Sequence, residues 1–93
     1  MIKILFIGDI VGKPGRKITQ QAVPRLIEHH KIDLVIANVE NAAGGNGITR
    51  ETAEELLDAD INVMTTGNHV WDKREALEYI KFEPRLIRPA NFP

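Results

Sequence analysis

Three short apolar runs in this chain each end abruptly in polar residues, and this repeated pattern constrains the fold most strongly. The segments between the runs have the apolar spacing of amphipathic helices. Strands that alternate with helices usually lie parallel in one sheet, so their carboxyl ends share an edge. The sequence therefore predicts an α/β fold of alternating βαβ units with parallel strands. The predicted strands are Ile2–Ile7, Asp33–Ala37, Ile61–Thr65 and a short fourth one at Arg85–Ile87.

Three helices are expected to connect these strands. The first should start near Pro14 to Arg16, and Pro24 inside its apolar pattern predicts a kink or a split. Thr49 is a suitable N-cap for the second helix. The third should start at Asp72 or just after it. The first strand is almost continuously apolar, which predicts that it is buried.

The composition gives no support to several classes of function. Twelve basic and thirteen acidic residues give a net charge of -1, so there is no electrostatic case for a nucleic-acid or membrane partner. The absence of Cys excludes disulfides and thiolate chemistry, and it fits a cytoplasmic protein. The first apolar run is too short for a signal peptide. The chain ends at Asn91–Pro93 in what reads as a loop, so we expect the N-terminal part of a longer protein.

Polar side chains follow each of the first three predicted strands. Asp9 follows the first strand, and the pair Glu40 and Asn41 follows the second. Asn68 and His69 follow the third. Ligands bind at the carboxyl edge of open α/β sheets, so these five side chains are expected to face one crevice. Carboxylate, amide and imidazole ligands suit a divalent cation such as manganese or iron, and without a cation the two carboxylates would repel each other.

Two alternatives remain open at this point. Each polar residue could have a local role: Asp9 could cap the first helix, Asn41 and Asn68 could stabilise turns, and His69 could be a surface residue. The loop Gly8–Gly15 also resembles a phosphate or dinucleotide loop, although it has neither of the established glycine spacings. The chain could therefore be a non-catalytic nucleotide- or phosphate-binding α/β module, and metal content distinguishes that hypothesis from an enzyme.

The order of these motifs resembles that of the calcineurin-like metallophosphoesterases. In that family a Gly-Asp pair follows the first strand, a carboxylate-Asn pair follows the second, and Gly-Asn-His follows the third. The particular forms in this chain are similar to the YmdB-type branch of the family, and the similarity extends over the whole chain. The segments that carry it are Gly8–Arg16, Asn38–Gly45, Thr66–Asp72 and Arg88–Pro93.

The resemblance implies a dinuclear-metal phosphodiesterase that hydrolyses 2′,3′-cyclic nucleotides, with a four-layer αββα sandwich fold and iron or manganese as the metal. By the same resemblance, Asp9 would bind the first metal and Asn41 would complete that site. Glu40 would bridge both metals, and Asn68 would bind the second. His69 would donate a proton to the leaving oxygen.

The sequence also departs from the wider superfamily. Where the superfamily usually has Asp-x-His after the first strand, this chain has Asp9-Ile10-Val11. Where the superfamily usually has a bridging Asp, this chain has Glu40. Asn41 would stand in for the lost His. Nothing in the chain matches the further His ligands of the family's C-terminal half. The 93 residues are therefore expected to be one portion of a single domain and to be inactive alone. One apolar face of the sheet should be exposed, and the protein could form a homo-oligomer.

Overall fold

The computed structural model describes residues 1–44, 47–67, 69 and 74–90. Within these residues, strands and helices alternate along the chain, as the sequence predicts. The elements are β1 (Ile4–Ile7), α1 (Gly12–His30), β2 (Leu34–Asn38), α2 (Arg50–Asp58), β3 (Val63–Thr65), α3 (Arg74–Tyr79) and β4 (Leu86–Ile87).

The four strands form one parallel sheet in the order β1-β2-β3-β4. In its register Phe6 pairs with Ile36, and Ile36 pairs with Val63. Crossovers between parallel strands are almost always right-handed, so a sheet whose strands follow chain order carries its connecting helices on one face. The predicted α/β fold with parallel strands is therefore confirmed.

The hydrophobic core lies between the sheet and these helices. Side chains that alternate along each strand point to opposite faces, so only every second strand residue contributes to the core. Val35 and Met64 are 1% and 0% exposed, whereas their neighbours on the other face are half-buried. The core side chains contributed by the strands and helices include Val35, Ala37, Met64, Leu86, Val23, Ala53, Leu56 and Ala76.

The opposite face of the sheet carries exposed apolar side chains. Ile4 is 55% exposed, Phe6 is 61% exposed and Ile87 is 45% exposed. The prediction that the first strand is buried is therefore wrong for this face, because the helices of the described residues cover only the other one. The expected exposed apolar face is present.

Helix α1 runs without a break from Gly12 to His30, so of the two predicted effects of Pro24, a kink or a split, the split is wrong. A proline inside a helix removes one hydrogen-bond donor, and the loss is offset here by burial of the adjacent Val23 in the core. The helix ends at Lys31, which has the left-handed backbone conformation typical of a C-cap. No helix in the described part of the chain is long and apolar enough to cross a membrane.

Helix α2 begins at the predicted N-cap. The Thr49 hydroxyl accepts a hydrogen bond from the backbone N–H of Thr52 at 3.2 Å, and the Thr49 N–H donates to the Thr52 hydroxyl at 3.0 Å. Two N-terminal amide groups that would otherwise lack helical partners are thereby satisfied. This cap fixes the point where the long loop after β2 re-enters the helical layer.

Candidate metal centre

The residues that directly follow β1, β2 and β3, called the strand exits below, lie side by side at the carboxyl edge of the sheet. Backbone hydrogen bonds continue the ladder beyond the strand ends: the Ile10 N–H donates to the Asn38 carbonyl at 3.2 Å, and the Val39 N–H donates to the Thr65 carbonyl at 2.9 Å. Since the two bonds connect three successive exits, the polar residues that follow them are held in one region of the surface.

Asp9 and Asn41 meet at this edge, although 32 positions separate them in the chain. The Asn41 side-chain amide donates to Oδ1 of Asp9 at 2.8 Å. The Asn41 carbonyl accepts a second bond, from the Gly12 N–H at 3.0 Å, which ties the two exit loops together. The alternative in which Asp9 caps α1 is wrong, because the N-cap residue is Val11 and it has no side-chain cap.

Glu40 reaches across from the β2 exit to the β3 exit. Its carboxylate lies directly over Gly67: a Cβ atom added to Gly67 would be 2.5 Å from Oε2 and 2.7 Å from Oε1. The backbone N–H of His69 also donates to Oε2, at 3.3 Å. The glycine is therefore needed for space, and it lets a half-buried carboxylate lie against the backbone that leads to His69.

The structure thus places four of the five residues predicted for the site in two contact pairs at the carboxyl edge of the sheet. Asp9 and Asn41 form one contact pair, and Glu40 and the His69 backbone form the other. The fifth, Asn68, lies outside the described residues, as does Trp71.

Two supporting residues were not singled out from the sequence. The Asn38 side-chain oxygen accepts from the Glu40 N–H at 3.4 Å. The Thr66 hydroxyl, in a residue only 8% exposed, donates to the Ile87 carbonyl at 2.6 Å and so links the β3 exit to β4. The signal in the sequence was a polar residue at the end of an apolar run. Its partner is the backbone of a neighbouring strand for Thr66 and the backbone two residues further along the chain for Asn38.

The donor set fits part of a site for a divalent metal. Asp9 and Glu40 offer carboxylate oxygens, and a half-turn of the Asn41 side-chain amide would present its oxygen instead of its nitrogen. These hard donors suit manganese or iron. Among the described residues, no three His, Cys, Asp or Glu side chains cluster closely enough to hold an ion. The fit therefore relies on amide ligands and on donors beyond this set.

A pocket of about 430 Å³ is lined by residues of α2, α3 and the segment after α3, and it includes none of the candidate site residues. It is lined mainly by carboxylates around an aromatic floor, and a hydrogen bond to Glu54 raises the pKa of Arg50 on its rim. Burial raises the pKa of Tyr79 in its wall. An anionic phosphate would be repelled by this lining, so the pocket does not support phosphate binding. Its residues are Arg50, Glu54, Glu75, Glu78, Tyr79, Phe82 and Glu83.

A parallel α/β sheet with carboxylate, amide and imidazole residues gathered at its carboxyl edge is typical of a ligand-binding or catalytic domain. The family model described as YmdB-like protein matches residues 5–93. This chain therefore belongs to the YmdB-like family.

Individual relatives are similar over nearly the whole of this chain. A Bacillus subtilis protein named 2′,3′-cyclic-nucleotide 2′-phosphodiesterase is 46% identical over 92 residues, which are 99% of this chain and 35% of that protein. A crystal structure of a hypothetical protein from Thermus thermophilus has a TM-score of 0.89 at 38% identity and covers 97% of this chain and 34% of its own. A crystal structure from Mycoplasma pneumoniae, described as a novel phosphatase, has a TM-score of 0.93 at 37% identity. The match covers 99% of this chain and 33% of that one. The chain spans about a third of the length of these relatives.

Proposed function

We propose that the intact protein is a metal-dependent phosphodiesterase that hydrolyses 2′,3′-cyclic nucleotides, and that residues 1–93 are the N-terminal portion of its single metallophosphoesterase domain. The observation that carries the proposal is the position of the Glu40 carboxylate, which lies over Gly67 and accepts a hydrogen bond from the backbone of His69. The name of the Bacillus subtilis relative supports the activity and the substrate class.

In this proposal the strand exits supply ligands to two ions of iron or manganese. Asp9 and Asn41 would hold the first ion, Asn68 would hold the second, and Glu40 would be a ligand of both. Further histidines and a second sheet, which completes a four-layer αββα sandwich over the exposed apolar face, come from the rest of the domain. When bound, such ions supply Lewis-acid activation of a phosphoryl group. Water attacks phosphorus, the bond from phosphorus to one ribose oxygen breaks, and His69 protonates that oxygen as it leaves.

The alternative of a non-catalytic phosphate-binding module is less well supported. Such a module would need the backbone N–H groups of the loop after β1 to be available to an anion. Three of them already donate to backbone carbonyls: Ile10 to Asn38, Gly12 to Asn41, and Gly15 to Val11. The adjacent carboxylate of Asp9 would also repel the anion.

The proposal is tested by comparing the intact protein with residues 1–93. We expect the intact protein to contain about two metal ions and to hydrolyse 2′,3′-cyclic AMP when supplied with manganese or iron. Residues 1–93 should bind metal weakly and show no turnover, because the remaining ligands are absent. Metal analysis and an assay for the nucleoside monophosphate product provide both readouts. An intact protein that binds no metal and leaves the substrate unchanged would refute the proposal.

A second test uses the space above Gly67. In Gly67→Ala the added methyl group must displace the Glu40 carboxylate, which is the flexible end of a side chain, so the fold should be retained. We expect manganese affinity to fall about tenfold or more, as for other changes that misorient a ligand. Gly8→Ala is the matched control, because an added Cβ there meets no atom within 4 Å. Equal manganese affinities for the two variants, measured by calorimetric titration, would contradict the seat assigned to Glu40.

A further inference from the structure

Arg16 makes a contact with the candidate site that no assigned role explains. It lies in the first turns of α1, and its side chain is only 14% exposed. Its Nη1 donates to the Ala42 carbonyl at 2.6 Å. Ala42 is fully buried and follows Glu40 and Asn41 directly in the chain, so this bond attaches the ligand-bearing loop to the helical layer.

The guanidinium is itself held from the other side by α2. Its Nε lies 3.4 Å from Oε2 of Glu55, and Oε1 of the same carboxylate accepts a bond from Gln20 at 2.8 Å. Nε is buried and has no hydrogen-bond partner of good geometry among the described residues, so charge alone holds this ion pair. The directional bond of Arg16 is therefore the one to the loop.

Other hydrogen bonds attach the loop to its neighbours at the carboxyl edge of the sheet: the Asn41 side chain donates to Asp9, and Glu40 accepts from the His69 N–H. The Gly12 N–H holds the Asn41 carbonyl, and the Ala42 N–H donates to the Val39 carbonyl within the turn. The Ala42 carbonyl would be a buried acceptor without this partner if Arg16 were removed, which is costly. A lysine is a point charge on a flexible stem and cannot reproduce the planar fork that reaches both the carbonyl and the carboxylate.

We infer that Arg16 is a positioning residue: together with Glu55 it fixes the loop that carries Glu40 and Asn41, and so sets the affinity of the site for metal. The predicted effect on metal affinity rests on the proposed function, because the positions of Glu40 and Asn41 affect metal binding only if they are metal ligands. Arg16 itself contacts neither substrate nor metal in this scheme.

The experiment compares Arg16→Met with Arg50→Met in the intact protein. Both arginines pair with a glutamate of α2, but the pair of Arg50 with Glu54, at 3.0 Å, is largely exposed, whereas Arg16 is mostly buried against the loop. We expect Arg16→Met to weaken manganese binding about tenfold or more and to lower kcat with it. Arg16→Lys should be intermediate, and Arg50→Met should match the wild type. Hydrogen exchange in peptides covering residues 39–44 of the metal-free protein should be faster in Arg16→Met alone.

The exchange measurement separates the inference from the proposed function. If the wild type binds no manganese while exchange in the loop still rises in Arg16→Met, the proposed function fails and the loop-fixing role stands. If manganese affinity and loop exchange in Arg16→Met both equal those of Arg50→Met, the inference is overturned, whatever the thermal stability of the variant. Should Arg16→Met not fold, Arg16→Lys and Glu55→Gln provide the same comparison, and unchanged exchange in both would overturn it.

Discussion

Replacement of Glu40 by Ala should remove bound metal from the intact protein and abolish phosphodiesterase activity with it. Among the described residues, the Glu40 side chain is the one that extends from the β2 exit onto the β3 exit, where it meets Gly67 and the His69 backbone. A carboxylate shared between two cations contributes to both sites, so its loss should lower the metal content from about two ions per chain towards none. Elemental analysis of the purified variant measures this directly.

Two controls separate charge from shape. Glu40→Gln keeps the length of the side chain and an oxygen that can accept from the His69 N–H, so it should fold as the wild type does and still bind metal poorly. Glu54→Ala removes a surface glutamate of α2 and should leave the metal content unchanged. A Glu40→Ala protein that retains its full metal content would show that Glu40 is not a ligand.

The sequence could predict the strand exits because the rule behind them is short-range. An apolar run that stops at a polar residue marks the end of a strand, and parallel strands place such ends on one edge. The contact between Asp9 and Asn41, and that of Glu40 with the His69 backbone, follow from this rule plus adjacency of β1, β2 and β3. The roles of these residues as ligands are predictions that the experiments above test.

Burial of the first strand could not be predicted in the same way. An apolar run shows that a strand can be covered on both faces, but which faces are covered depends on where the connecting helices lie. Here the strand order places them on one face, and Ile4 and Phe6 remain exposed on the other. The continuity of α1 through Pro24 also depends on tertiary packing, because the burial of Val23 outweighs the local effect of the proline.

The contacts of Arg16 could not be predicted from sequence patterns, for a different reason. Its partner carbonyl at Ala42 is 26 positions away, and a backbone acceptor leaves no trace in residue type. A basic residue early in a helix is unfavourable next to the helix dipole, and this local cost was a possible sign of a tertiary contact. The bond from Thr66 to the Ile87 carbonyl, 21 positions away, has the same character.

His69→Ala should reduce turnover about 10²- to 10⁴-fold while the intact protein keeps its metal, which is the reverse of the Glu40 result. The contact of His69 with Glu40 uses the backbone N–H, so removal of the imidazole leaves that contact in place. In its proposed role, His69 donates a proton to a ribose alkoxide, which is a poor leaving group without a proton. Metal analysis together with kcat for 2′,3′-cyclic AMP distinguishes the two roles.

A change of leaving group makes the test of His69 sharper. A nitrophenolate leaves phosphorus without needing a proton, so a nitrophenyl phosphodiester should be hydrolysed by His69→Ala at a rate much closer to that of the wild type. Glu40→Ala should be inactive towards both substrates, because its defect precedes proton transfer. An equal loss of activity on both substrates in His69→Ala, or a loss of its metal, would assign His69 to ligation and contradict its role as the proton donor.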